Sequence, residues 1–338
     1  MHDILRGSQG LDHPAALDDL AQDPAPLIVL SGEEATLVAF AAGWHRGGGC
    51  TGRLPGLRLT RLDALRDQHR AERYAARTLA GAQGILVRPA QDQAGLDPVL
   101  NRIAALARDT GIALAILPAG GAPDPRSSLP LSTLSRLAAL CDSGGAVAAQ
   151  AALAQLALAA GLYAGPVAGP KLLPPVGTWT PEHGPGCPLA GLEPDTTRPR
   201  VALCFDRADL AGADIAPIAA LTHALRDRGC AVTALFRADT QADSAWMARQ
   251  LTALAPAAIL STRPGAPVAD SPAPVLVAAL LEADKPAATL APTPDFAGIA
   301  AIRSAGARDP HLQFTPRRYD ICPDRIAAIA NRVIGRIG

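Results

Sequence analysis

Between Arg61 and Arg88 the chain reads RLDALRDQHRAERYAARTLAGAQGILVR, which puts an imidazole (His69), a phenol (Tyr74) and a hydroxyl (Thr78) on one helical stretch and a guanidinium (Arg88) at the end of a short apolar strand. Imidazole and phenol can donate to a ligand or reach a metal, and a guanidinium fork matches a carboxylate in two places. Each has an ordinary alternative: His69 as a solvated surface histidine, Tyr74 as a half-buried core residue, Arg88 as half of a structural ion pair. Arg88 is the sharpest of the three, because open α/β sheets gather their ligands at the carboxyl ends of strands. If it serves only a ligand, Arg88→Ala should weaken binding and leave the melting temperature almost unchanged.

The elements that would hold these side chains alternate. Short apolar runs at 27–30, 57–60, 84–87 and 112–117 are separated by helical segments, including one entered through Ser31-Gly32-Glu33-Glu34 and one over 97–109. Continuous apolar strands of this length, each followed by a helix, imply a parallel sheet covered on both faces. From Ala164 to Arg200 nine prolines break any period, and the segment reads as a connector. Alternation then resumes with strands at 201–205, 231–236 and 258–261 and helices near 215–228 and 243–254. Residues 274–280 fit either a strand or a helix start, and the chain closes on an amphipathic helix from Pro323 to Arg336. The expected fold is therefore α/β, with two doubly wound, Rossmann- or flavodoxin-like domains over 1–163 and 201–338 joined by the Pro/Gly-rich connector 164–200.

The 338 residues carry 31 basic and 31 acidic groups and 49% hydrophobic residues, enough for two cores and with no basic stripe for nucleic acid. Only Lys171 and Lys285 are lysines, leaving 29 arginines. Codon composition accounts for such a bias, and so would selection for forks that grip a polyacidic ligand. Cys50, Cys141, Cys187, Cys204, Cys230 and Cys322 show no CxxC pair or metal-type spacing and read as buried or unpaired thiols of a reducing compartment. The start, MHDILRGSQGLDHPAALDD, lacks a signal-peptide pattern, and the apolar run AVAAQAALAQLALAAGLYAG is alanine-dominated and bounded by glycines, as in a packed helix rather than a membrane span. A cytoplasmic protein without membrane or nucleic-acid partners is expected. No P-loop, GxSxG or HExxH occurs, and Gly47-Gly48-Gly49 follows a helix, so it reads as a loop rather than a phosphate cradle. No catalytic residue and no metal ligand is nominated.

Leu65, His69, Tyr74, Thr78-Leu79-Ala80, Ala82 and Val87-Arg88 resemble a signature near the start of the large, tetrapyrrole-binding subunit of cobaltochelatase. In matching order follow LAILPAGGAPDP (Leu114 to Pro125), Ser132-Thr133-Leu134, Gly144-Gly145, LPPVGTW (Leu173 to Trp179), the βαβ unit from Val201, and PDRIAAIA (Pro323 to Ala330). The chain departs from that pattern at PAQDQAGLD (Pro89 to Asp97), at Ala146-Val147 and at SAGARDPHLQF (Ser304 to Phe314). The resemblance implies the amino-terminal portion, or a short relative, of a subunit that binds hydrogenobyrinic acid a,c-diamide and receives cobalt in cobalamin biosynthesis. It further implies AAA+ partner subunits that use ATP and magnesium, Arg88, His69 and Tyr74 as ligand-binding residues, and no cofactor held by this chain. Since the family's metal-inserting residues lie beyond the matched region, this chain by itself is expected to be inactive. A non-catalytic ligand-binding or scaffolding module and a magnesium chelatase relative of bacteriochlorophyll biosynthesis are the alternatives.

Overall fold

The computed structural model describes residues 20, 22–90, 95–165, 173–186, 197–238, 240–263, 272–282 and 295–337. Cys187, the first 19 residues and the middle of the Pro89–Asp97 loop lie outside that set.

The first lobe is a four-stranded parallel sheet of β1 (Leu27–Ser31), β2 (Leu57–Arg61), β3 (Gly84–Arg88) and β4 (Ala113–Ile116), in the order β2-β1-β3-β4. Side chains alternate across it. Ile28, Leu30, Ile85, Val87, Leu114 and Ile116 bury against α2 (Gln68–Arg77) and α3 (Asp97–Thr110). Leu27, Val29, Leu57, Leu59 and Leu86 face α1 (Glu34–Arg46), α4 (Leu131–Ser143) and α5 (Gly145–Ala159). The alanine-rich run is α5, and its small residues let it lie against α1. A Cβ on Gly43 would stand 2.6 Å from the Gln150 nitrogen and 2.8 Å from the Ala146 oxygen, so this near-backbone contact requires glycine.

Among the described residues the second lobe has eight strands: β5 (Val176–Thr180), β6 (Gly184–Pro185), β7 (Arg200–Asp206), β8 (Ala231–Arg237), β9 (Ala258–Ser261), β10 (Val275–Glu282), β11 (Phe296–Ala305) and β12 (Arg317–Ile321). Their order is β12-β11-β10-β9-β7-β8-β5-β6. The five strands from β7 to β11 run parallel, whereas β12, β5 and β6 pair antiparallel, so the sheet is mixed rather than purely parallel. The short α6 (Arg207–Ala211) follows β7 directly; α7 (Ala216–Arg226) and α9 (Pro323–Ile337) cover one face, and α8 (Gln241–Leu254) covers the other.

Two features link the parts of the expected partition. Within 164–200, Val176–Thr180 docks antiparallel on the free edge of β8, with prolines confined to its flanks and to the terminal strand β6, where no ladder donor is needed. The β11–β12 connection, residues 306–316, leaves the second lobe and enters the core of the first. There Leu312 is fully buried and Phe314 nearly so, in the cluster that holds Trp44 and Leu54. Gln313, at φ 49°, accepts through its backbone oxygen from Gln22 Nε2 (2.9 Å) and pairs with Asp23 through its side chain. Arg58 donates to the His311 carbonyl at 2.9 Å. The second lobe therefore contributes core residues to the first.

Candidate functional site

In a 2-1-3-4 sheet the helices after the first and third strands leave toward opposite faces, opening a crevice at the strand ends. Here α1 follows β1 on one face and α3 follows β3 on the other, and the crevice lies at Ser31 and Arg88, where Gly32 N–H donates to the Arg88 carbonyl at 3.0 Å. The second lobe closes it. A cleft of about 710 Å³ is walled by Glu33, Thr36 and Phe40 near or on α1, by Leu140 to Asp142 of α4, and by Ala208 and Ala211 of α6. An adjoining cleft of about 350 Å³ shares Glu33 and Gly212 and is lined by Glu34, Arg61, Asp214, Arg303 and Arg317.

Arg88 lines the larger cleft, yet only 6% of its side chain is exposed. Its Nη1 donates to the Leu117 carbonyl at 3.0 Å, and its Nη2 meets Asp142 Oδ1 at 2.8 Å. Its fork is thus engaged inside the protein. Tyr74 lies elsewhere: its hydroxyl sits 2.8 Å from Gln22 Oε1 and 3.0 Å from Thr60 Oγ1, buried beneath α2, and burial pushes its ionisation far upward. His69 is exposed on that same helix, across the sheet from α1 and α5. α2 covers the face of the sheet opposite the cleft. Arg88 alone of the three reaches it.

Side chains not singled out in the sequence do more to build the seam between lobes. The Arg207 guanidinium donates to the carbonyls of Ser143, Leu173 and Pro174, each at 3.0 Å, tying α6 to the end of α4. Glu34 accepts from Arg61 at 3.0 Å and from the Arg317 backbone at 2.6 Å, and Arg303 pairs with Asp214 at 3.0 Å while lying 4.3 Å from the Tyr319 ring centre. One signal was available: Asp206-Arg207 stands at a strand end just as Arg88 does. The Cys141 thiol in the cleft wall is pushed up to about 12 by burial, so it stays protonated. Among the described residues no group of three or more His, Cys, Asp or Glu is arranged to hold a metal ion, and no helix is long and apolar enough to cross a membrane.

Asp209, buried on α6, is pushed up to about 7, first by burial and then by its neighbours Asp206 and Asp214, with Arg303 and Arg263 opposing. Unfolded, it ionises near the ordinary carboxyl value of about 3.9. Between those values the folded chain keeps a proton that the unfolded chain has lost, so this group's contribution to stability is present below about pH 4 and is lost as pH rises through 7. Asp209→Asn should raise stability at pH 8 by about 2 kcal/mol, have no effect at pH 4, and flatten the melting temperature against pH between those limits. An unchanged pH profile in thermal melts would refute this assignment.

Comparison of the sequence with models of known families and with curated proteins finds no match. Among solved structures, the fold matches the catalytic subunit of cobaltochelatase from Mycobacterium tuberculosis with a TM-score of 0.65 at 16% sequence identity. The matched region covers 91% of this chain and 27% of that one, so the chain spans about a quarter of the length of that subunit. Over nine-tenths of its length, then, this chain is similar in fold to part of a cobaltochelatase catalytic subunit.

Proposed function

We propose that the chain is the amino-terminal region, or a short relative, of a cobaltochelatase large subunit and contributes to binding the tetrapyrrole, hydrogenobyrinic acid a,c-diamide, into which cobalt is inserted. The observation that carries this is the cleft at the first sheet's switch point, closed by α6 of the second lobe, within a fold similar to that of the subunit. A corrin-type ring is a flat apolar disc fringed by carboxylates and amides. Phe40, Leu140 and the alanines of α1 and α6 offer apolar wall, and the Arg88 fork would turn from Asp142 to a ring carboxylate. Cobalt is the substrate, and ATP and magnesium belong to AAA+ partner subunits.

Titrating the full chain with the diamide and following its absorbance should give saturable, one-to-one binding. Arg88→Ala, measured where the variant remains folded, should weaken it by about 1.5–3 kcal/mol, the range for a charged hydrogen bond. No saturable change with the wild-type chain would remove this reading. A scaffolding role would then take its place, and one feature already favours that alternative: the cleft holds two carboxylates, Glu33 and Asp142, against a guanidinium that is paired within the fold.

A further inference from the structure

Three side chains far from Arg88 in sequence meet where the first lobe receives residues 306–316. Beyond α1 the glycines at 47–49 lead into a tight turn, 49–51, that brings Cys50 back over the end of the helix. Its Sγ lies 3.4 Å from Nδ1 of His45. On the opposite side of the ring, Nε2 lies 2.6 Å from Oδ2 of Asp309, which arrives on the second lobe's loop. The other carboxylate oxygen accepts backbone N–H groups from His311 at 2.9 Å and Leu312 at 3.3 Å, so the acid is fixed in place. The Trp44 ring packs edge-on to the imidazole at 5.1 Å. Gly49 has to be glycine: a Cβ there would stand 2.0 Å from Cε2 of Trp44. Both Cys50 and His45 are exposed.

A carboxylate on Nε2 selects the tautomer that carries its proton there, leaving the Nδ1 lone pair aimed at the thiol. Nucleophile, base and orienting acid thus stand in the order that activates a cysteine. Thiol and carboxylate occupy opposite ring nitrogens, so they cannot share one metal ion. The geometry points to Cys50 as a nucleophilic thiol, with His45 as its base and Asp309 as the positioning residue, that exchanges with electrophiles of the disulfide class. In the step, His45 Nδ1 takes the thiol proton as Sγ attacks one sulfur of RS–SR. The Cys50 S–S bond forms while the original S–S bond breaks; the Cys50 sulfur is oxidised, the departing sulfur is reduced, and the departing thiolate recovers the proton from His45. Displacement at sulfur develops no oxyanion, so the three groups present suffice without a set of oxyanion donors. The product is a mixed disulfide at the seam between the lobes.

The test is the reaction of the full chain with dithiobis(nitrobenzoate) at pH 7, followed by absorbance of the released thiolate, with the adduct located by peptide mass. Cys141 and Cys204, whose thiols burial pushes up to about 12, and the buried Cys230 should react slowly. One equivalent should react at Cys50 on the order of 10-fold faster than a free model thiol, and Cys50→Ser should abolish that phase. His45→Gln, at an exposed position, should slow it on the order of 10-fold at pH 7 in a chain whose melting temperature is checked alongside, with the deficit narrowing toward pH 9 as hydroxide replaces the imidazole as base. Asp309→Asn should give an intermediate rate. The proposal is overturned if Cys50 reacts no faster than the model thiol, or if His45→Gln leaves the rate unchanged across pH.

Discussion

Leu312→Ala should destabilise the first lobe by about 2–5 kcal/mol, although residue 312 belongs by sequence to the second. The side chain is fully buried among Trp44, Leu54 and their neighbours, and removing its branched end leaves a cavity with little chance to collapse beside the α1–α5 contact. The distribution of the loss is as informative as its size. If residues 306–316 join the lobes into one cooperative unit, the wild-type chain should unfold in one calorimetric transition and the variant in two, the lower one carrying the near-ultraviolet signal of Trp44. A single transition in the variant, shifted by less than a degree, would show that the loop rests on the first lobe without being part of its core.

The second large effect is expected at Arg88. Replacing it with alanine removes a charge-assisted bond to Asp142 and leaves the Leu117 carbonyl without its donor, at an expected loss of about 3 kcal/mol in chemical denaturation. This is the outcome that the sequence attaches to Arg88 as half of a structural ion pair, rather than to Arg88 serving only a ligand. Asp142 is 40% exposed and rehydrates when Arg88 is removed, whereas Arg88, 6% exposed, keeps a buried charge without its carboxylate when Asp142 is removed, so Asp142→Ala should cost at least as much as Arg88→Ala, and the double variant should lose less than the sum of the two. Strict additivity would mean that the pair is not coupled.

The contrast between Arg88 and its expected partners shows what was legible in the sequence. Strand periodicity located β1, β2, β3, β7, β8 and β9 to within a residue or two, because a buried parallel strand must be apolar on both faces. The same rule placed Arg88 at a strand end and hence at the cleft. It carries no information about which face of the sheet α2 covers, so the position of His69 and Tyr74 across the sheet from the cleft is visible only in the fold. No apolar run marks β5 or β12, because near a sheet edge Pro, Gly and Arg are tolerated, as at Gly177 in β5 and Arg317-Arg318 in β12. Cys50, His45 and Asp309 could not be joined from sequence at all, since 264 positions separate His45 from its acid.

The reach of residues 306–316 back into the first lobe also sets a timetable for synthesis. The helices of that lobe end at Ala159, yet its core is completed only when Leu312 and Phe314 arrive, about 155 residues later. At ordinary elongation rates that is a wait of roughly 8–30 s with Trp44 and Leu54 lacking their cover. A contact between Gln22 and Gln313, 291 positions apart, has the high contact order that slows folding and lengthens exposure to aggregation. Nascent chains stalled before residue 306 should therefore be the species that chaperones hold, and release should follow emergence of the β11–β12 connection from the ribosome.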